Sequence, residues 1–113
     1  MIRVNIIEDE RIVRSVVDAE GECPLIAWAQ ENEKSPGHCV FSLTGEIKDI
    51  IDKDDVFELL VRSTLNCLDL RGVNVAFCSN KALFDGLKRL GFKESTRGVE
   101  VDIKSFFKPC CKH

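Results

Sequence analysis

Residues 80–94 read NKALFDGLKRLGFKE, and the fold turns on how this stretch ends. Leu83, Phe84, Leu87 and Leu90 make one apolar stripe at helical spacing. Asn80 precedes the stripe as an N-cap residue, and Gly91 follows it as a residue free to take a positive φ. The pattern predicts a helix over 80–90 that stops at Gly91 and delivers Phe92 into what comes next.

Immediately upstream, VNVAFC at 73–78 is a short, nearly continuous apolar run, as expected of a strand buried on both faces. Before it, Val56, Leu59, Leu60, Ser63, Cys67 and Leu70 fall at spacings of three and four, and Phe57, Val61, Leu65 and Leu68 add a second apolar side. This predicts a largely buried helix, capped at its start by Asp54 or Asp55 and ended by Arg71 and Gly72. Downstream, VEVDI at 99–103 reads as a last strand.

The first half reads as strands. IRVNII at 2–7 and IVRSVV at 12–17 are separated by a hairpin-length EDER; PLIAWAQ at 24–30 and HCVFSL at 38–43 flank ENEKSPG, with the turn placed at Pro36-Gly37. EIKDII at 46–51 is a fifth candidate whose apolar members, Ile47, Ile50 and Ile51, fit period two poorly. The order is a strand meander followed by helix, strand, helix, strand. A strand-helix-strand unit implies a right-handed crossover and a parallel pair, so the expected class is α+β: a mixed, mostly antiparallel sheet whose C-terminal half runs β-α-β-α-β.

At 113 residues and 44% hydrophobic, the chain supports one core and a single domain over 1–113. Net charge is −3, with cations and carboxylates interleaved, which disfavours a nucleic-acid partner. No window resembles a signal peptide or a membrane span, so the expectation is a soluble, cytoplasmic protein. In that setting its six cysteines are expected as thiols, with Cys39, Cys67 and Cys78 inside apolar runs as small core residues. Neither His38-Cys39 nor the terminal CCKH has the spacing of a zinc site, and no metal is expected.

RGVNVAFCSNKALFDGLKRLGFKE, residues 71–94, resembles the closing half of the GNAT superfamily of N-acetyltransferases. In that family a long helix ends in Gly before a buried strand, the strand leads to an Asn, and a helix finishes in Leu-Gly-Phe before the final strands. As architecture the resemblance extends over residues 38–103. It implies a mixed sheet whose two central strands splay apart to admit the pantetheine arm of acyl-CoA, acetyl-CoA being the expected co-substrate. An amine of a small molecule or peptide then attacks the thioester carbonyl, backbone N–H groups polarise that carbonyl, and a general acid protonates the departing thiolate. The alternative is a GNAT-fold module that has lost catalysis and serves binding or assembly.

Three departures from the family stand in the sequence. The glycine-rich segment that the family places at the start of the long helix, where backbone N–H groups meet the CoA pyrophosphate, is here IIDKDDVFELL, without a glycine; Lys53 is its one helpful cation, and Asp52, Asp54 and Asp55 oppose a phosphate. The family's usual acid, a Tyr seven residues after the Asn, is replaced by Leu87, and the chain contains no tyrosine. Cys78, at the end of the buried strand, is then the candidate general acid, a thiol of ordinary pKa about 8.5. Ser79 and Asn80 are the candidates for contact with the pantetheine arm, and Glu8 and Glu46 for attracting or deprotonating the amine. The N-terminal helix pair of the family is also expected to be missing, which leaves sheet surface for a partner subunit to cover and suggests a homodimer.

Overall fold

The structure is a computed structural model that describes residues 2–8, 11, 25–53 and 55–107. The strand expected over 12–17, the question of the N-terminal helix pair, Asp54 and the terminal CCKH lie outside the described residues. Among those described, a four-stranded sheet runs in the order β1 (Arg3–Ile7), β2 (Leu25–Glu31), β3 (Lys34–Phe41), β4 (Ile47–Asp52), every neighbouring pair antiparallel. Helix α1 (Phe57–Leu70) crosses to a second sheet of β5 (Val75–Cys78), β6 (Lys93–Ser95) and β7 (Gly98–Asp102), with β7 in the middle. Between β5 and β6 the chain makes a 3-10 turn (Lys81–Leu83) and helix α2 (Phe84–Arg89), and a short α3 (Ile103–Phe107) closes it. The α+β class with a GNAT-like order is therefore what the chain adopts.

Both helices that carry the resemblance end in the same way. Gly72 takes φ +80°, its N–H donates to Asp69 C=O at 3.0 Å, and Val73 N–H reaches back to Leu68 C=O at 2.9 Å. Gly91 takes φ +111°, its N–H donates to Lys88 C=O at 3.0 Å, and Phe92 N–H reaches Leu87 C=O at 3.1 Å. Each is a Schellman closure, in which a residue without Cβ satisfies two orphan carbonyls and turns the chain sharply. Phe92 and Leu87, brought together by the second closure, are both in the main core. Leu-Gly-Phe is thus a folding device: a stop, a reversal and an anchor.

The core lies between α1 and one face of the first sheet. Ala27, Ala29, Cys39, Phe41, Ile47 and Ile50 meet Leu60, Val61, Leu65 and Leu68 there, and Ala76, Cys78, Leu87, Val99 and Ile103 extend it under the second sheet. The helix buries Leu60, Val61, Thr64, Leu65, Cys67 and Leu68, whereas Leu59 and Leu70, placed by spacing on its apolar stripe, are exposed. On β5 burial alternates: Ala76 and Cys78 are buried, Val75 and Phe77 only partly, so the strand is not covered fully on both faces as its sequence suggested. The Arg97 guanidinium lies 4.1 Å over the Phe77 ring on the open side.

The β2–β3 turn differs from its reading in sequence. It falls at Asn32-Glu33, with Asn32 at φ +56° and Glu31 paired with Lys34, and Pro36-Gly37 sit inside β3. Pro36 lacks only an N–H; its C=O accepts from Lys53 N–H at 2.8 Å. Gly37 is required by contact: a Cβ there would stand 2.3 Å from Ile51 O and 3.0 Å from Val56 Cγ2. The residues that read as a chain reversal are the ones that let β4 and the start of α1 approach β3.

Candidate functional site

The site is set by an irregularity in β4. Val40 pairs with Asp49 but Phe41 pairs with Ile47, so Lys48 is an extra residue on β4, a β-bulge. The bulge explains the poor alternation of EIKDII. Ile47 faces the core before it, Ile50 faces the core after it, and Asp49 and Ile51 are turned to the opposite face with Val40 and His38. A bulge also bends and twists its strand.

The parallel partnership expected of β4 and β5 is correspondingly brief. A single bridge, Glu46 with Phe77, joins them, with Phe77 N–H donating to Gly45 C=O at 2.9 Å. Beyond that bridge β4 continues to Asp52 while the chain leaves β5 at Cys78 and turns into the 3-10 segment. Among the described residues the parallel pairing of β4 and β5 goes no further than that bridge. Asn80 extends the connection: its Oδ1 accepts from Ala82 N–H at 3.1 Å, and its Nδ2 donates to Lys48 C=O on the bulge at 3.3 Å. It caps the segment that follows β5 and ties that segment to β4.

The other residues singled out from sequence are dispersed and form no common cluster with Asn80, apart from the Cys78 thiol described next. Cys78 is 0% exposed, inside the core, with its thiol directed at Asn80 C=O at 3.8 Å, and burial pushes the thiol's pKa up. Cys39 is pushed up to about 12 for the same reason, and Cys67 is also raised by burial. Ser79 is exposed and lines an open depression of about 550 Å³ with Lys81, Phe84, Thr96 and Arg97. Lys53 is exposed past the far end of β4, with its backbone held by Pro36. Glu8 pairs with Arg71, and Glu46 with Lys48 at 3.6 Å, so both carboxylates are paired with cations. His38 and Cys39, neighbours in sequence, point to opposite faces of β3 and share no site.

The start of α1 corrects the capping expected of its aspartates. The N-cap is Val56, buried against Gly37, and its side chain makes no cap hydrogen bond. Asp55 lies outside, at φ +58°, and Asp52 Oδ1 accepts from the N–H of Val56 itself at 2.9 Å. The first intrahelical bond is Leu60 N–H to Val56 C=O, so the N–H groups of Phe57, Glu58 and Leu59 precede the ladder. Leu87, in the position of the family's acid, is 0% exposed and belongs to the core.

Two residues near the bulge were not legible as such. Asp49 is exposed on β4 directly after the bulge, with Oδ1 accepting from Ile50 N–H at 2.9 Å. His38, on the same sheet face, lies parallel to Trp28 with ring centroids 5.2 Å apart and planes 11° apart. Burial lowers the His38 pKa below its ordinary 6.5, opposed by Asp49 and assisted by Lys53. The ring is neutral at pH 7. The available signal was the broken alternation of EIKDII, which marks where the strand changes face.

No family model matches the chain, and no curated protein matches its sequence. Its structure is similar to the crystal structure of the ribosomal-protein-S18-alanine N-acetyltransferase from Escherichia coli, with a TM-score of 0.62 and 18% identity over 91% of this chain and 94% of that one. At that identity the likeness concerns the fold, and it supports the GNAT architecture read from residues 71–94.

Proposed function

We propose that the chain is an acyl-CoA-dependent N-acyltransferase acting on an amine. The observation that carries this reading is the fold, which is similar to that of an N-acetyltransferase, together with a β4–β5 pairing reduced to the Glu46–Phe77 bridge beside the Lys48 bulge. Acyl-CoA would supply an activated thioester. The groups here that suit it are the polar backbone edge of β4 past the bulge, the amide of Asn80, and the first-turn N–H groups of α1 with Lys53 nearby.

The chain's own contribution is to position and to move protons. Asp49, the exposed carboxylate directly after the bulge, would hold an ammonium and take its proton. Proximity of amine and acyl group supplies the larger share of the rate.

A second reading, a binding module without catalysis, is favoured by one fact. Cys78 and Leu87 both lie fully in the core, so neither presents an acid to solvent. Calorimetric titration with acetyl-CoA, followed by mass spectrometry of an added primary amine, separates the two. Binding with acetylated product supports the transferase, binding without product supports the module, and no heat or thermal shift at millimolar acetyl-CoA refutes the transferase. In the same assay Asn80→Ala weakens acetyl-CoA binding, because removing the amide frees the clasp on Lys48 as well as the cap.

A further inference from the structure

Between β1 and the last turns of α1 the structure holds a cavity of about 300 Å³. Strand period two brings Val4, Ile6 and Glu8 to one wall, and helical spacing of three and four brings Cys67, Leu70 and Arg71 to the other. Val4 and Ile6 pack on the main core, to which Cys67 belongs at 8% exposure, while Leu70 is exposed. Glu8 and Arg71 form an ion pair from wall to wall, and the guanidinium charge reaches the Cys67 thiol, whose pKa it lowers against the larger, opposite effect of burial. The volume is at the lower end of the roughly 300–1,000 Å³ common for ligand sites, which suits a molecule of amino-acid size. β1 and β4 stand at opposite ends of the four-strand order, so this cavity is separate from the Lys48 bulge and Asn80.

We propose that the cavity binds a small α-amino acid with an apolar side chain, as its zwitterion: the ammonium on Glu8, the carboxylate on Arg71, the side chain against Val4, Ile6 and Leu70. The inference does not depend on the acyltransferase reading and assigns a second site at the other edge of the sheet. A ligand with one charge is attracted by one member of the ion pair and repelled by the other, whereas an α-amino acid carries both charges on one carbon and meets an opposite charge at each end. The pair itself leaves room for this. It is made through Arg71 Nη2 and Glu8 Oε1, so the second carboxylate oxygen and the other guanidinium N–H groups can take a further partner, and both side chains are partly in solvent. The apolar walls then reward an alkyl side chain, which glycine lacks.

Calorimetric titration of the full chain with L-leucine, without any acyl-CoA, is expected to give saturable binding at one site. 4-Methylpentanoate, which lacks the ammonium, 3-methylbutylamine, which lacks the carboxylate, and glycine, which lacks the side chain, are each expected to bind more weakly. Glu8→Gln and Arg71→Gln each weaken leucine binding about tenfold, which corresponds to about 1.4 kcal/mol, with far-UV circular dichroism confirming that both variants are folded. Cys67 reports the place of binding: leucine slows its alkylation by iodoacetamide at mildly alkaline pH, read by peptide mass spectrometry, with the midpoint found by calorimetry. No heat at millimolar leucine, equal affinity for a singly charged probe or for glycine, variants that bind like the wild type, or binding that leaves Cys67 alkylation unchanged overturns the proposal. Because acyl-CoA is absent, a chain that takes acetyl-CoA but not leucine refutes this inference alone, and one that takes leucine but not acetyl-CoA refutes only the acyltransferase reading.

Discussion

Replacing Leu87 by Ala tests whether the position of the family's acid has become part of the core. The side chain is 0% exposed, it lies in the cluster with Phe92 and Val99, and its C=O receives Phe92 N–H in the closure of α2. Truncation removes roughly three methyl or methylene groups, worth about 0.8 kcal/mol each in transfer, or about 2.4 kcal/mol. The cavity left behind adds to this and brings the cost to about 3 kcal/mol, inside the range of about 2–5 kcal/mol for buried Leu→Ala. For a chain of this length 1 kcal/mol shifts Tm by about 4 °C, so the expected drop is about 12 °C. Leu70→Ala, at a residue 78% exposed near the end of α1, is the internal control and should stay within about 0.5 kcal/mol. Urea and thermal unfolding monitored by circular dichroism supply both numbers. A Leu87→Ala cost below about 1 kcal/mol, indistinguishable from Leu70→Ala, refutes the core assignment and returns the position to the candidate site.

Two further outcomes follow from the same geometry. Gly37→Ala is expected to destabilise by more than the roughly 1 kcal/mol ordinary for a point mutation, because its Cβ would stand 2.3 Å from Ile51 O on β4; unfolding at wild-type urea concentrations would show that β3 and β4 can part there without cost. His38 has a folded pKa lowered from 6.5, so the unfolded state binds more protons just below that value, and the stability it contributes is present above pH 6.5 and lost as pH falls through the folded pKa. Between pH 7 and pH 5 the wild type should therefore lose more Tm than His38→Gln, and parallel losses would show that the ring is not desolvated.

The parts of the fold that the sequence announces are those governed by local chemistry. Gly72 and Gly91 end their helices because only a residue without Cβ takes φ of +80° and +111° cheaply, and both stops were readable one residue at a time. Pro36-Gly37 misled for the opposite reason: the pair suits a turn, but long-range contact with Ile51 and Val56 requires Gly37 inside a strand. β6, Lys-Glu-Ser, has no apolar member to betray it and exists because β7 pairs with it. α3 begins where Asp102 accepts from Lys104 N–H at 3.2 Å and Ser105 Oγ at 3.1 Å, a cap that had read as the tail of a strand. At the site, Asn80 was legible as a cap but not as a clasp, since its partner Lys48 is remote in sequence. Asp49 and His38 meet only through strand register and a bulge, which a linear pattern registers as a blemish.

The start of α1 shows how the same residues carry opposite arguments before and after folding. Read in sequence, the aspartates around Lys53 cap the helix and exclude a phosphate. In the structure Asp52 binds the N–H of Val56, Asp55 is held outside the helix at φ +58°, and neither serves the first turn. Short-range and long-range terms then separate. The N–H groups of Phe57, Glu58 and Leu59 precede the first intrahelical bond and would offer an anion direct donors, backed by the partial positive charge of about half a unit at a helix N-terminus. The carboxylates oppose its approach with whole charges, screened by solvent over about 8 Å at physiological ionic strength. An anion that seats on the N–H groups gains contact energy that the carboxylates do not cancel in full, whereas one that stays a few ångströms away meets only repulsion. For a phosphate-bearing donor, selection at this end of the helix would therefore depend on fit to the backbone and not on attraction from a distance, which is the reverse of a glycine-rich phosphate loop backed by cations.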